Sequence, residues 1–378
     1  MWYELTEEQT QMKGVAEDVA RRLPAILQEA QEKGIYPASA IAMMQDAGLL
    51  RLLIPKEYGG LERDLTTSCL CQEELGKVDA GLSNVISDES IPAVILNLYG
   101  TEAQKERYLR PTASERKKWC SAITEPDAGS DIGSIKTRAV ADGDYYVLNG
   151  SKTWASLAAM ADYFWVVAST NPAKRSRGLT VFIMEKEAPG FTIVRDIPKR
   201  SWKTFPAAEF ALENVRLPKE NMLGPEDAGA RVFFSALNVG RVGIGAQSLG
   251  VAEGAFAYAK DFAKARVQFD QPVAEFQAVR FMLADMATGV EAMRALTYTA
   301  AWLVDHRRPE AEKLCSMVKY FASDMVVKIT TDAVQVLGAA GLTEDHPVEK
   351  MWRDSKAFQI MDGTNEIMRD LVGRMLLR

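Results

Sequence analysis

The sequence predicts an α+β protein in three consecutive parts: helical over residues 1–118, β-rich over 119–223 and helical again over 224–378. Three observations carry this. "PASAIAMMQDAGLLRLLIP" spaces its apolar residues as a helix does and stops at Pro55, ahead of the turn pair Gly59-Gly60. From about residue 119 the texture changes to short apolar runs such as "YFWVVAST", "GLTVFIMEK" and "AEFALENVRL". Turn signals part them, at Asp142-Gly143, Asn149-Gly150 and Pro189-Gly190. Beyond Gly224 long helical patterns return. Val279, Leu283, Met286, Val290 and Met293 advance by fours and threes, and Leu314, Val318, Phe321 and Met325 repeat the step, as bundled helices require.

Composition narrows the function classes. At 378 residues, 47% apolar and 25% charged, the chain can fill more than one core. A net charge of −6 without a basic stripe gives no electrostatic case for nucleic acid or an anionic membrane. No apolar run looks near the roughly 20 residues that span a bilayer. The opening "MWYELTEEQTQMK" is acidic where a signal peptide would be apolar, so a cytoplasmic chain is expected. Cys69, Cys71, Cys120 and Cys315 show no C-x-x-C pair or zinc spacing and are expected as buried thiols. The two histidines, His306 and His346, sit in turn-like "DHRRPE" and "EDHPVE", which argues against a His-dependent triad or a His-rich metal site. Chemistry is left to carboxylates or a bound cofactor.

Several stretches could hold it. "GRVGIGAQSLG" (240–250) lacks the G-x-G-x-x-G spacing and the preceding strand of a dinucleotide loop, so it reads as close helix packing through small residues. "ITEPDAGSDIGS" (123–134) joins the hydroxyls of Thr124 and Ser130 to acids and glycines. Its backbone could approach a ligand, although composition alone also suits a surface loop. "KTWAS" (152–156) sets Trp154 and Ser156 two positions apart on one strand face, or else as part of a cross-strand core pair. Arg266 in "RVQFDQP" suits a phosphate or a helix dipole. "QIMDGTNEIMRD" (359–370) breaks an apolar helical pattern with Asp362, which is either a solvated helix terminus or an acid–base group.

Taken in order, "ITEPDAGSDIGSIKTRA", "LNGSKTWAS", "NMLG", "RVQFDQPVAEFQAV", "DAVQVLGAAGL" and "DGTNEI" resemble the acyl-CoA dehydrogenases, across essentially the whole chain. The resemblance implies an N-terminal helical domain, a middle β-barrel-like domain and a C-terminal four-helix bundle. It also implies a homotetramer built from dimers, with FAD at the subunit boundary. Ile123 and Thr124 would face the flavin, Trp154 would pack on it, and Ser156 would stand where threonine is usual, near flavin N5. Ser130 would serve both the FAD pyrophosphate and the acyl-CoA. Arg266 and Phe269 would reach the FAD of the neighbouring subunit, Gln335 with Gly338 close by would match the adenine-side contact, and Thr364 and Glu366 would lie near the FAD diphosphate. Arg241 would lie on the helix beside the CoA channel, and Asn238, more often aspartate, near the pantetheine. Leu157-Ala158 replaces the usual Asn-Gly. Above all, Asp362 replaces the catalytic glutamate, and Gly240 excludes the alternative base position.

The implied reaction removes an α-proton and a β-hydride from a thioester, with the flavin taking the hydride and the protein supplying position and electrostatics. The Asp362 backbone N–H can still polarise the thioester carbonyl. Its side chain is one methylene short, roughly 1.3 Å less reach by ordinary bond lengths, and about 1 Å of misplacement can cost about 10²-fold. "NVISDESIPA" places Asp88 and Glu89 on a helix that the resemblance puts along the acyl pocket. They form either a solvated face or a second acid addressing a carbon further from the thioester. Such aspartates are similar to those of family members acting on alicyclic substrates, the cyclohexane- and cyclohexene-carboxyl-CoA dehydrogenases. Electron-transfer flavoprotein is the implied acceptor. The alternatives are an enoyl-CoA reductase running the reverse reaction and a non-catalytic flavin or acyl-CoA binding protein.

Overall fold

The computed structural model describes residues 4–33 and 35–377; Met1, Trp2, Tyr3, Gly34 and Arg378 lie outside the described residues. The chain opens with helices α1 (Glu7–Lys33), α2 (Ala38–Asp46), α3 (Leu65–Gly76), α4 (Ala80–Tyr99) and α5 (Glu102–Ser114). Caps decide where three of them begin. Asp64 Oδ1 accepts the Thr67 N–H at 2.7 Å, Asp79 Oδ1 accepts the Leu82 N–H at 2.9 Å, and Thr101 with Gln104 forms a reciprocal capping box.

Strands β1 (Trp119–Ala122), β2 (Arg138–Asp142), β3 (Tyr145–Ser156), β4 (Tyr163–Ser169), β5 (Leu179–Glu185), β6 (Phe191–Asp196), β7 (Ala207–Pro218) and β8 (Met222–Leu223) follow. They form one sheet in the order β6-β7-β3-β2-β4-β5-β8, with β1 parallel to β4. Phe164, Phe182 and Phe210 fill one side of it, while Trp165, Val181 and Ile183 join Ile95 and Leu96 of α4 on the other.

The remaining elements are α6 (Gly229–Ala265), a hairpin of β9 (Val267–Gln268) and β10 (Gln271–Pro272), α7 (Gln277–Asp305), α8 (Ala311–Leu337), α9 (Pro347–Phe358) and α10 (Asn365–Leu376). The small-residue stretch of α6 packs as expected. A Cβ at Gly250 would stand 2.1 Å from the Glu73 carbonyl oxygen of α3, and one at Gly245 would stand 2.3 Å from Val318 of α8. Only glycine permits those approaches.

Two expectations need correction. Ala311–Leu342 is long and apolar enough, by length and composition, to cross a membrane. In this fold α8 instead packs against α6, α7, α9 and α10. The apolar face of α8 is also rotated from the one expected. Cys315, Val318, Ala322, Val326 and Ile329 are buried, whereas Leu314, Phe321 and Met325 are half-buried flanks. The buried stripe takes in Ser316, Lys319 and Ser323, polar positions that an apolar count passes over.

One tie joins the three parts. Beyond capping α4, Asp79 accepts the Thr204 hydroxyl at 2.9 Å and pairs with Lys350 at 2.9 Å. Lys350 also reaches Asp354 at 2.6 Å, and Asp354 accepts the Trp202 N–H at 2.7 Å. The start of α4, and with it the placement of Asp88, is thereby pinned to both other parts of the chain.

Candidate active site

Asp362 lies in the turn between α9 and α10 with φ +52°, followed by Gly363 at +89°. A non-glycine residue in the left-handed region costs of order 1–3 kcal/mol and persists where the surroundings over-determine it. Thr364 caps α10 by accepting the Ile367 N–H, and Asn365 N–H holds the Gln359 carbonyl at 3.1 Å. The carboxylate points inward at α6: a Cβ on Gly240 would stand 3.3 Å from Asp362 Oδ2 and 3.3 Å from Ile91 Cδ1. The solvated-terminus reading of Asp362 is therefore wrong.

Ile91 is three residues past Asp88 on α4, so the two share a helix face. That face brings Asp88 within electrostatic reach of Asp362. Burial, and then the charge on Asp362, push Asp88 up to about 8, with Lys199 opposing. Burial also raises Asp362, while Lys319 and Arg241 pull it back. Asp88 Oδ2 is buried with no hydrogen-bond partner among the described residues. Glu89, 4% exposed, has an orphan Oε2 and is held up to about 8 by burial and then by the charge on Asp88. A solvated face is therefore the wrong account of Asp88 and Glu89.

Two of the cations, Lys319 and Lys199, come from elements that sequence reasoning did not implicate, whereas Arg241 was expected beside the CoA channel. Lys319 of α8 is buried, donates to Asn365 Oδ1 at 3.0 Å and is lowered to about 8 by burial, against the pull of Asp362. A lysine inside the stripe of Cys315, Val318 and Ala322 was the available signal. Arg241 is buried rather than solvent-facing; it donates to Ser316 Oγ at 3.1 Å and leaves Nε unpartnered. Asn238 lies half-buried one turn before it. Lys199, between β6 and β7, is lowered to about 8 by burial, with Asp354 and Asp88 opposing.

A second group gathers at the end of β3. A bulge between Lys152 and Ala155 interrupts pairing with β7, and Trp154 takes φ +56°, an outlier for so bulky a residue. Its ring is 57% exposed. Ser156 is half-buried on the same side, while Ala155 points into the core. Thr153 N–H donates to the Thr124 carbonyl at 2.9 Å, which brings the half-buried Ile123 and Thr124 beside this bulge. Buried Lys152 fixes that loop from below, donating to the Ile123 carbonyl at 2.9 Å and to Glu125 Oε1 at 2.8 Å. Glu125 in turn accepts the Lys136 and Thr137 N–H groups. Leu157 and Ala158, where Asn-Gly is usual, are buried in the adjacent core. Ser130 is exposed in a loop that Asp131 organises through Gly133, Ser134 and Arg175.

The remaining candidates lie apart, on the surface of the C-terminal part. Arg266 ends α6, and Phe269 tips the β9–β10 hairpin at φ +51° and 88% exposure. Gln335 and Gly338 are exposed at the end of α8, and Glu366 is exposed in the first turn of α10. The structure of a single chain does not bring these residues to Asp362. His306 and His346 end α7 and precede α9, and the four cysteines are free and buried.

Comparison with known proteins decides the family. The acyl-CoA dehydrogenase N-terminal domain matches residues 6–116, the middle domain 120–215 and the C-terminal domain 227–377. The chain belongs to the acyl-CoA dehydrogenase family. It is 41% identical over 376 residues to the cyclohex-1-ene-1-carbonyl-CoA dehydrogenase of Geobacter metallireducens, covering 99% of each chain. It is 37% identical over 377 residues to the caffeyl-CoA reductase-Etf complex subunit CarC of Acetobacterium woodii, again covering 99% of each. The structure of butyryl-CoA dehydrogenase from Megasphaera elsdenii superposes with a TM-score of 0.97 at 37% identity, each chain covered fully. This acyl-CoA dehydrogenase is an FAD-dependent oxidoreductase acting on acyl-CoA thioesters. Its own residues fit the cofactor: Trp154 offers an exposed aromatic face beside backbone already fixed by Lys152, and Phe269, exposed at its hairpin tip, offers another.

Proposed function

We propose that this enzyme dehydrogenates an alicyclic acyl-CoA thioester, with Asp362 and Asp88 accepting protons at different carbons of the acyl group. The observation that carries this is the Asp362 carboxylate turned inward under Gly240, with buried Asp88 close enough for the charge on Asp362 to raise it.

Ile123, Thr124, Trp154 and Ser156 would hold the flavin ring, with Ser130, Thr364 and the N-terminus of α10 toward the diphosphate. Bound FAD supplies the acceptor for the hydride leaving the β carbon. Arg266, Phe269, Gln335, Gly338 and Glu366 are exposed in this chain, which agrees with their contacting FAD at a subunit boundary in a homotetramer built from dimers. A bare Phe269 is better accounted for covered than free. Asn238 and Ser130 would line the route of the CoA arm, with Arg241 behind it. The likeness to a reductase-Etf subunit supports electron-transfer flavoprotein as the partner.

For a saturated ring the acidic hydrogen is on the α carbon, beside the thioester carbonyl. The Asp362 N–H polarises that carbonyl and its carboxylate takes the proton. In a cyclohex-1-ene-1-carbonyl thioester the α carbon bears no hydrogen. Conjugation moves the acidity to the γ carbon, out of reach of Asp362 and toward Asp88. Loss of the γ proton and the β hydride then leaves a conjugated diene.

Anaerobic mixing with a panel of CoA thioesters, read by flavin absorbance, tests the reading. Cyclohexane- and cyclohexene-carbonyl thioesters should bleach the flavin faster than straight-chain ones. Faster bleaching by butyryl-CoA than by either ring overturns the alicyclic assignment.

A further inference from the structure

Behind Asp88 the molecule contains a second polar space that the acyl site does not use. A cavity of about 250 Å³ is lined by Glu89, Asp46, Arg51, Thr112, Ala113 and Lys117. It reaches the surface at Ser114 and Arg116, both exposed. At roughly 30 Å³ per water it holds several.

Buried polar atoms without partners gather on its inner side. Glu89 Oε2 and Arg51 Nε in its lining, and Tyr36 Oη within electrostatic reach of Glu89, lack a hydrogen-bond partner among the described residues, as does Asp88 Oδ2 one residue away on α4. Native interiors pair such atoms with ordered water when protein groups are absent. The cations nearby are engaged elsewhere. Arg116 pairs with Asp46, and Lys117 with Asp162 at 3.0 Å. Arg51 donates to the Gly59 carbonyl at 3.2 Å, whereas the Lys118 side chain acts on Glu89 through its charge. Among the described residues Glu89 makes no salt bridge that would lock it as a carboxylate. Asp88, Asp162 and burial favour its neutral form, while Lys118 and the Trp119 N–H favour the ion. Pro92 has no N–H for the Asp88 carbonyl four residues back, so the α4 turn bearing both acids lacks one helical hydrogen bond.

We infer that Glu89 is the proton outlet of this enzyme, passing the proton taken by Asp88 through ordered water into the cavity behind α4. This rests on the two-carboxylate reading. Each turnover of a cyclohexenyl thioester breaks one γ C–H bond, whose proton goes to Asp88, and one β C–H bond, whose hydride the bound flavin takes. A seated thioester covers the acyl side of Asp88. The proton therefore passes to the Glu89 carboxylate, Asp88 is restored, and Glu89 releases the proton to cavity water. Glu89 touches no substrate and acts through Asp88.

The test reads proton appearance and flavin bleaching together. The FAD-loaded enzyme is mixed anaerobically with cyclohex-1-ene-1-carbonyl-CoA in weakly buffered solution containing a pH indicator. In the unaltered enzyme the two signals run in step. In Glu89→Gln, which keeps shape but cannot carry the proton, proton appearance should lag bleaching by about tenfold or more, a typical scale for losing a proton-transfer group. Ala113→Leu, which narrows the cavity without touching either acid, should produce the same lag and carries the test if the first variant fails to load FAD. Signals still in step in a loaded variant overturn the outlet. Asp88→Asn separates the two ideas. Slow bleaching there, with Glu89→Gln in step, rejects the outlet alone; wild-type bleaching rejects the two-carboxylate reading and the outlet with it.

Discussion

Asp362 and Asp88 bring the same carboxylate into one space from surroundings of opposite character. Asp362 sits on a left-handed turn between α9 and the Thr364-capped α10, with buried Lys319 and Arg241 both acting on it. Asp88 sits in the middle of α4, with an orphan oxygen, a second buried acid beside it and only Lys199 in opposition. Burial raises both; Lys319 and Arg241 pull Asp362 back, whereas the charge on Asp362 adds to burial in raising Asp88 to about 8. The difference teaches how two identical side chains can take separate roles: the charges around each, rather than residue type, tune its proton affinity.

Four changes break or sharpen that contrast. Asp362→Asn should have the largest effect, slowing flavin bleaching by a saturated-ring thioester by about 10²–10⁴-fold, the usual worth of a general base. Asp88→Asn should slow the cyclohexenyl thioester by at least about 10²-fold while the saturated ring loses far less. Stopped-flow absorbance checks both.

Lys319→Met, close in volume but uncharged, should raise the pH at which kcat/KM for the saturated ring half-develops by about one unit, the lower end for losing a close opposite charge. With the cyclohexenyl substrate the unaltered enzyme should gain kcat/KM as pH rises through about 8, as Asp88 ionises. The saturated ring should show its limb at lower pH. A shared limb for both substrates contradicts the division of roles.

The smallest effect concerns stability. The folded pKa values of Asp88 and Glu89 stand near 8, above their ordinary values of 3.8 and 4.5. Between about pH 4 and 8 the folded state therefore binds more protons than the unfolded one, and stability falls as pH rises through that window. The ligand-free protein should lose Tm from pH 5 to 8 by calorimetry, and Asp88→Asn should flatten the slope. A Tm rising over this range would reject the shifts.

The order of helical, β-rich and helical parts was legible because hydrophobic period and turn residues are local signals. So was Asp362, because a carboxylate interrupting "QIM…IMRD" is conspicuous. The left-handed backbone at Asp362 and Trp154 was not legible, since nothing in either residue type demands it. The hidden cations were missed for a different reason. Lys199 and Lys319 come from a loop and a helix far apart in sequence, and charge at a buried position looks the same as charge on a surface; Arg241 was named beside the CoA channel, but not its burial. Glu89 was read only beside Asp88, because the cavity it faces is closed by residues 45–51 and 112–117.

The most direct test is hydrogen exchange in the absence of net turnover. The FAD-loaded enzyme is incubated in D2O with a saturated-ring thioester or a cyclohexenyl one, and deuterium is located by NMR. Asp362→Asn should lose exchange at the α carbon of the saturated ring, and Asp88→Asn should lose exchange at the γ carbon of the cyclohexenyl ring. Loss of both exchanges in the first variant and of neither in the second would contradict the account.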